Sequence, residues 1–149
     1  MQKLLILPIF LSSLLMSSVA KAEWTEVREG LSGNYNYVDL ESIKKQDRKV
    51  FFWRLNDRLK SKKNGILSSL YYMEAECERF GIATLLNQLR FAQHHNKRRF
   101  RYLKSTNYKG PMGSGKIRSI NNKPPKDWRH PKPNSTMEFA LEAVCNHKP

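Results

Sequence analysis

Cysteine is scarce in this chain. Only Cys77 and Cys145 occur among 149 residues. A scaffold stapled by several disulfides is thereby excluded, and a single intrachain pairing is available. Long apolar runs are scarce too. The uncharged stretch over residues 4–19 is the only candidate, and it falls short of the roughly 20 residues a spanning helix needs. Acidic residues number 13 against 27 Lys and Arg, and none lies between Arg79 and Lys126. Internal repeats are absent, as is any linker long enough to divide the chain. No Ser-His-Asp or Cys-His arrangement carries a local signature of nucleophilic catalysis. The acids are scattered, and Glu74, Glu76 and Glu78 alternate on one strand as a solvated face would. Nothing in these patterns argues for an enzyme.

The N-terminus reads as an export signal. Lys3 supplies a positive start, the uncharged run follows, and Ala20-Lys21-Ala22 fits a small-x-small cleavage pattern. Residues 1–22 are expected to be removed, leaving 23–149 as one domain. No cysteine adjoins the cleavage site, which excludes a lipid anchor on a mature N-terminal Cys. Export to the periplasm or cell surface places the cysteines in an oxidising compartment. A Cys77–Cys145 bond is then expected, with two free thiols as the alternative. Without Lys3 and Lys21 the chain holds 25 basic and 13 acidic residues. The twelve basic residues from Arg79 to Lys126 equal that whole excess. A single-sign segment of this kind favours anionic partners through long-range attraction; plain solubility is the competing explanation.

Alternation predicts strands at Trp24–Arg28, Tyr35–Asp39, Arg48–Asn56 and Ile66–Cys77. In the third, Phe51, Trp53 and Leu55 fall on one face, and Val50 and Phe52 on the other. In the fourth, Tyr71, Met73, Ala75 and Cys77 share the apolar face. Leu40–Ile43 reads as a single helical turn followed by a polar linker. Asn64-Gly65 is a turn dipeptide. Ile82, Leu85, Leu86 and Leu89 form one helical stripe, so a short amphipathic helix is expected over residues 80–93. Further strands follow over Arg99–Lys104 and Lys116–Ile120. Residues 121–133, with four prolines, make an extended connector. The chain closes on a helix. Ser135 is its cap, Glu138 stands at capping-box spacing, and Met137, Leu141, Val144 and Cys145 form its apolar side.

Three stretches invite a chemical reading. Residues 110–116 are glycine-rich but lack GxxxxGK[ST] and a following helix, so a glycine turn is the better account than a phosphate loop. His94 and His95 are adjacent and cannot share a face, and His130 and His147 complete no ligand pattern; no metal and no cofactor are expected. Lys97, Arg98, Arg99, Arg101 and Lys104 interleave with Phe100 and Tyr102, which makes them the candidate site for an anionic partner. The same alternation is that of a half-buried strand, and it argues against a specific nucleic-acid reader.

Several features recur together in order. Glu23-Trp24 opens the exported part, then come Tyr37-Val38-Asp39 with Ser42-Ile43, and Val50-Phe51-Phe52-Trp53 before a Lys-rich loop. Ser68-Ser69 begins a strand ending in Cys77. Gly110–Gly115, Trp128-Arg129 and Pro133-Asn134-Ser135 lead to Val144-Cys145. This order resembles the surface-adhesin protein E family of small exported bacterial proteins. The resemblance implies an α+β fold: an antiparallel sheet of about six strands with the C-terminal helix on its concave face. It also implies a disulfide from a central strand to that helix, at positions matching Cys77 and Cys145. The type member is an adhesin for host matrix and plasma proteins such as vitronectin and laminin, and it can dimerise. The interval from Cys77 to Gly110 is longer here than the family pattern. The reading that follows is a non-enzymatic exported binding domain for host matrix proteins or anionic glycan and lipopolysaccharide partners, through its basic surface. The alternative is a structural or assembly factor of the envelope.

Overall fold

The computed structural model describes residues 23–30, 33–77, 98–125 and 127–148. The export segment, the helix expected over 80–93, the His94–His95 pair and Lys97 lie outside these. Six strands form one antiparallel sheet in chain order: β1 (Trp24–Glu29), β2 (Tyr35–Gln46), β3 (Lys49–Asp57), β4 (Ser68–Glu76), β5 (Arg99–Tyr108) and β6 (Ile117–Asn121). Each strand pairs with its neighbour in sequence, as hairpin-type connections favour. One helix, α1 (Thr136–Asn146), packs over the β1–β3 side of the sheet. The α+β fold expected from the family resemblance is the fold observed.

The core lies between α1 and one face of the sheet. Val38, Val50, Phe52, Met73, Ala75 and Phe100 meet Met137, Ala140, Leu141 and Val144 from the helix. Alternation in the strands puts the first set on one face, and helical spacing puts the second set on one stripe. Ser135 caps α1 as its sequence position suggests, its Oγ accepting from the Glu138 N–H at 3.2 Å. Glu138 reaches back one residue further than a capping box requires, accepting from the Asn134 N–H at 2.7 Å. At the far end Cys145 is bonded to Cys77, with Cα atoms 5.6 Å apart. The free-thiol alternative is thereby excluded, and the helix is tied to the end of β4.

Two expectations need correction. The helical turn at Leu40–Ile43 is not formed, and β2 continues through it to Gln46. The register with β3 shifts between Asp39 and Lys44. Asp39 Oδ1 accepts from the Ser42 N–H at 3.2 Å, and Ser42 Oγ donates to the Asp39 carbonyl at 2.9 Å. These local bonds fold the surplus residues into a bulge. Leu40 and Ile43, whose spacing imitates a helix, instead pack against the core. The polar linker is a tight turn in which Asp47 takes a positive φ of 55°.

The second correction concerns Glu74. Alternation placed it on a solvated face, yet it is only 2% exposed. Its face of the sheet is the one away from α1, and neighbouring side chains there close over it.

Candidate binding surface

The face of the sheet away from α1 carries the side chains of most chemical interest. Register fixes its rows. Arg99 stands beside Glu76, Arg101 beside Glu74 and Lys104 beside Tyr72. Across β4, Glu74 meets Phe51, Tyr72 meets Trp53 and Leu70 meets Leu55. Because side chains alternate along each strand, all of these project to one side. Phe100 and Tyr102 point to the other side, toward the helix. Phe100 is buried there, and Tyr102 packs against the same core. Of the interleaved basic and aromatic residues in β5, the aromatics thus serve the core.

The arginines are held in place from three directions. Arg99 forms a two-point contact with Glu76, donating from Nε to Oε2 at 2.7 Å and from Nη2 to Oε1 at 3.1 Å. Arg101 Nε donates to Glu74 Oε2 at 2.5 Å. Lys49 Nζ sits 2.9 Å from Glu74 Oε1, so the buried carboxylate faces a cation on each oxygen. Both guanidinium groups also lie over the ring of Trp128, at 4.7 and 4.8 Å from its centre. Trp128 is delivered by the connector, which forms one antiparallel rung with β5. The Phe100 and Arg129 N–H groups each donate to the other's carbonyl at 2.9 Å. This rung puts the Arg129 guanidinium on the helix side, 5.9 Å from the Tyr102 ring centre.

Electrostatics follow from these contacts. Burial alone would raise the Glu74 carboxyl pKa; hydrogen bonds and charge from Lys49 and Arg101 outweigh it, and the pKa falls below the ordinary value. At Glu76 the Arg99 hydrogen bond is the main cause of a similar lowering, opposed by burial. The cations remain in excess. Lys104 and Arg129 are exposed, and neither takes part in an ion pair found among the described residues. Beside the arginine rows lies an aromatic group. Trp53 and Tyr72 have ring centres 4.9 Å apart, and Phe51 stacks on Tyr72 at 6.5 Å. All three are half-buried.

Of the sequence candidates, the structure brings Arg99, Arg101 and Lys104 onto one face. Arg98 lies just before β5, its carbonyl 3.2 Å from His130 Nδ1. Sequence reasoning did not place Trp128, Lys49, Glu74 or Glu76 in this group. Their spacing from β5 carries no local signal, because cross-strand register alone unites them. The glycine-rich run 110–115 is a structural turn. Gly110 N–H donates to the Ser114 carbonyl at 3.1 Å, Met112 N–H to Asp57 Oδ1 at 2.9 Å and Gly113 N–H to Ser68 Oγ at 3.0 Å. Those amides are spent within the protein and leave no cradle for a phosphate. Among the described residues, no group of three or more His, Cys, Asp or Glu lies close enough together to hold a metal ion. No helix among them is long and apolar enough to cross a membrane.

Fold and surface together define a small α+β protein: a meander sheet backed by a tethered helix on one side, with arginines and aromatics on the other. A family model described as surface-adhesin protein E matches the chain over residues 24–97 and 95–146. The chain belongs to that family and is an adhesin-like protein. No curated protein and no solved structure matches it.

Proposed function

We propose that this protein is a non-enzymatic exported binding domain that receives an acidic partner on the face away from α1. The partner class is a host matrix or plasma protein, with anionic glycan or lipopolysaccharide as the competing ligands. The observation that carries the reading is the joining of Arg99, Arg101 and Lys104 with Trp128, Trp53, Tyr72 and Phe51 on one face. Arg, Trp and Tyr are the residues that dominate binding energy at protein interfaces. Here the arginines are held rigid by carboxylates and a ring, so little side-chain entropy remains to be lost on binding. Lys104, exposed and outside the ion pairs found among the described residues, supplies excess charge on that face that steers an acidic partner inward.

The test is binding of the purified protein to immobilised vitronectin, laminin, heparin and lipopolysaccharide. The wild type is compared with the charge variant Lys104→Gln, and with Trp128→Ala. The charge variant spares every ion pair described above, so its fold is expected to be intact. Selective binding to one protein ligand, weakened by both variants, supports the reading. Equal binding to every polyanion that disappears in moderate salt reduces it to a nonspecific charge effect. Binding unchanged in both variants refutes the site.

A further inference from the structure

A second site is built under the N-terminal end of α1, on the other face of the sheet. Arg54 of β3 points toward the helix and is 7% exposed. A guanidinium keeps its charge when buried, and buried charges are normally paired. No ion pair found among the described residues includes Arg54. Its Nη2 donates to Asn36 Oδ1 at 2.5 Å and to Thr136 Oγ1 at 3.2 Å, both neutral oxygens. Its buried Nε has no hydrogen-bond partner among the described residues. Burial is the main cause of a pKa pushed below the ordinary value, opposed by the neighbouring Tyr102 and Tyr71. Among the described residues, the sheet therefore holds a cation without a counter-ion.

The two side chains that hold Arg54 also line a cleft of about 500 Å³, between the β1–β2 turn, the end of β3 and the start of α1. That volume suits a small ligand. The lining is rich in donors. Thr136 Oγ1 accepts from Arg54, which leaves its O–H free to donate into the cleft. Ser135 Oγ accepts from the Glu138 N–H, with the same consequence. Asn56 uses its Nδ2 on Asn36 Oδ1 at 3.0 Å, and a second hydrogen remains. The positive end of the α1 dipole points at the same place. Arg28, whose guanidinium lies over the Phe139 ring at 4.4 Å, and Glu29 also line the cleft and bring one charge of each sign. Glu29 Oε1 lies toward Gly33 in the turn, and the Glu138 carboxylate is engaged by the Asn134 N–H. Arg54 is the cation left over.

We propose that this cleft binds a carboxylate-bearing ligand of monosaccharide size, with Arg54 as the counter-charge acting through Thr136. One uncompensated cation matches one carboxylate, and the surrounding hydroxyls and carboxamides suit a hydroxylated or amide-bearing body. The source of the carboxylate is an acidic sugar or a peptide. The site shares no residue with the arginine face, so it stands or falls independently of the function proposed above.

The experiment is a titration of the purified ¹⁵N-labelled protein, followed by amide chemical shifts. The probes are D-glucuronate and N-acetylglycine, with D-glucose as the uncharged control. Saturable shifts at Asn56, Ser135 and Thr136 with either acid, and none with glucose, are expected; the tighter acid distinguishes glycan from peptide. Thr136→Val is expected to weaken binding about tenfold, the loss of one charge-assisted hydrogen bond. Arg54→Met is expected to abolish it while circular dichroism shows the sheet retained. If Arg54→Met does not fold, Thr136→Val decides the matter. No saturable shift with either acid, shifts equally produced by glucose, or unchanged affinity in Thr136→Val overturns the proposal.

Discussion

Replacing both Cys77 and Cys145 by serine removes the tether between β4 and α1 while leaving the packed surfaces intact. The two positions are 68 apart in sequence. In the chain-entropy model, a bridge closing a loop of that length stabilises the fold by about 4 kcal/mol, because the unfolded chain loses conformations. For a domain of this size, that corresponds to a fall in melting temperature of roughly 10–15 °C. The helix is expected to remain docked, since Met137, Ala140, Leu141 and Val144 are buried irrespective of the bridge. Urea denaturation followed by circular dichroism is the assay, with the oxidised wild type as reference. The midpoint should fall and the denaturant slope should rise, because an unbridged unfolded chain exposes more surface. A loss below about 1 kcal/mol would refute the loop-entropy reasoning, given the magnitudes usual for such bridges. A double-serine variant whose α1 amide signals collapse would show instead that the bridge, and not apolar packing, holds the helix.

Two further outcomes follow from packing and charge. Leu141 is 0% exposed, so Leu141→Ala should destabilise the protein by about 2–5 kcal/mol in the same assay; a loss under 1 kcal/mol would contradict its place in the core. Glu74 and Glu76 have pKa values lowered by folding. Their stabilisation is complete above the unfolded carboxyl pKa of about 4.3 and is lost as pH falls through the lower folded values. Stability measured from pH 7 to pH 2 should therefore drop below about pH 4.3. Glu74→Gln should flatten that drop. At neutral pH it should cost about 1–2 kcal/mol, discounted because Lys49 and Arg101 retain solvent access. An identical acid limb in Glu74→Gln would show that this carboxylate is not the group being titrated.

Much of the scaffold is legible without coordinates. Period-two alternation in Val50–Leu55 and Tyr71–Ala75 identifies strands and assigns their faces, since a strand's side chains must alternate. Ser135 marks the helix start because its side chain can satisfy an otherwise orphaned N–H. Leu40–Ile43 misleads for a reason that is equally local. Two apolar residues three apart look helical, and only the Asp39–Ser42 hydrogen bonds and the pairing with β3 resolve the stretch as a bulge. The basic face is half legible. Arg99, Arg101 and Lys104 announce themselves as a cluster, but Trp128 arrives from the connector, 27 positions beyond Arg101 in the chain, and is placed by a single rung against Phe100.

By itself the sequence determined the strand faces, the capped amphipathic helix, the single available cysteine pairing and the uneven charge. All are set by residue type and short-range spacing. Tertiary structure alone decided which charges are spent and which are left over. Glu74 reads as solvated until β3 and β5 bring Lys49 and Arg101 to its two oxygens. Arg54 reads as one more polar residue in a strand until α1 closes over it, and no carboxylate among the described residues pairs with it. The physical reason is that the energy of a charge depends on its burial and on partners within a few ångströms. Those neighbours come from distant parts of the chain, and only the packed sheet and helix bring them together.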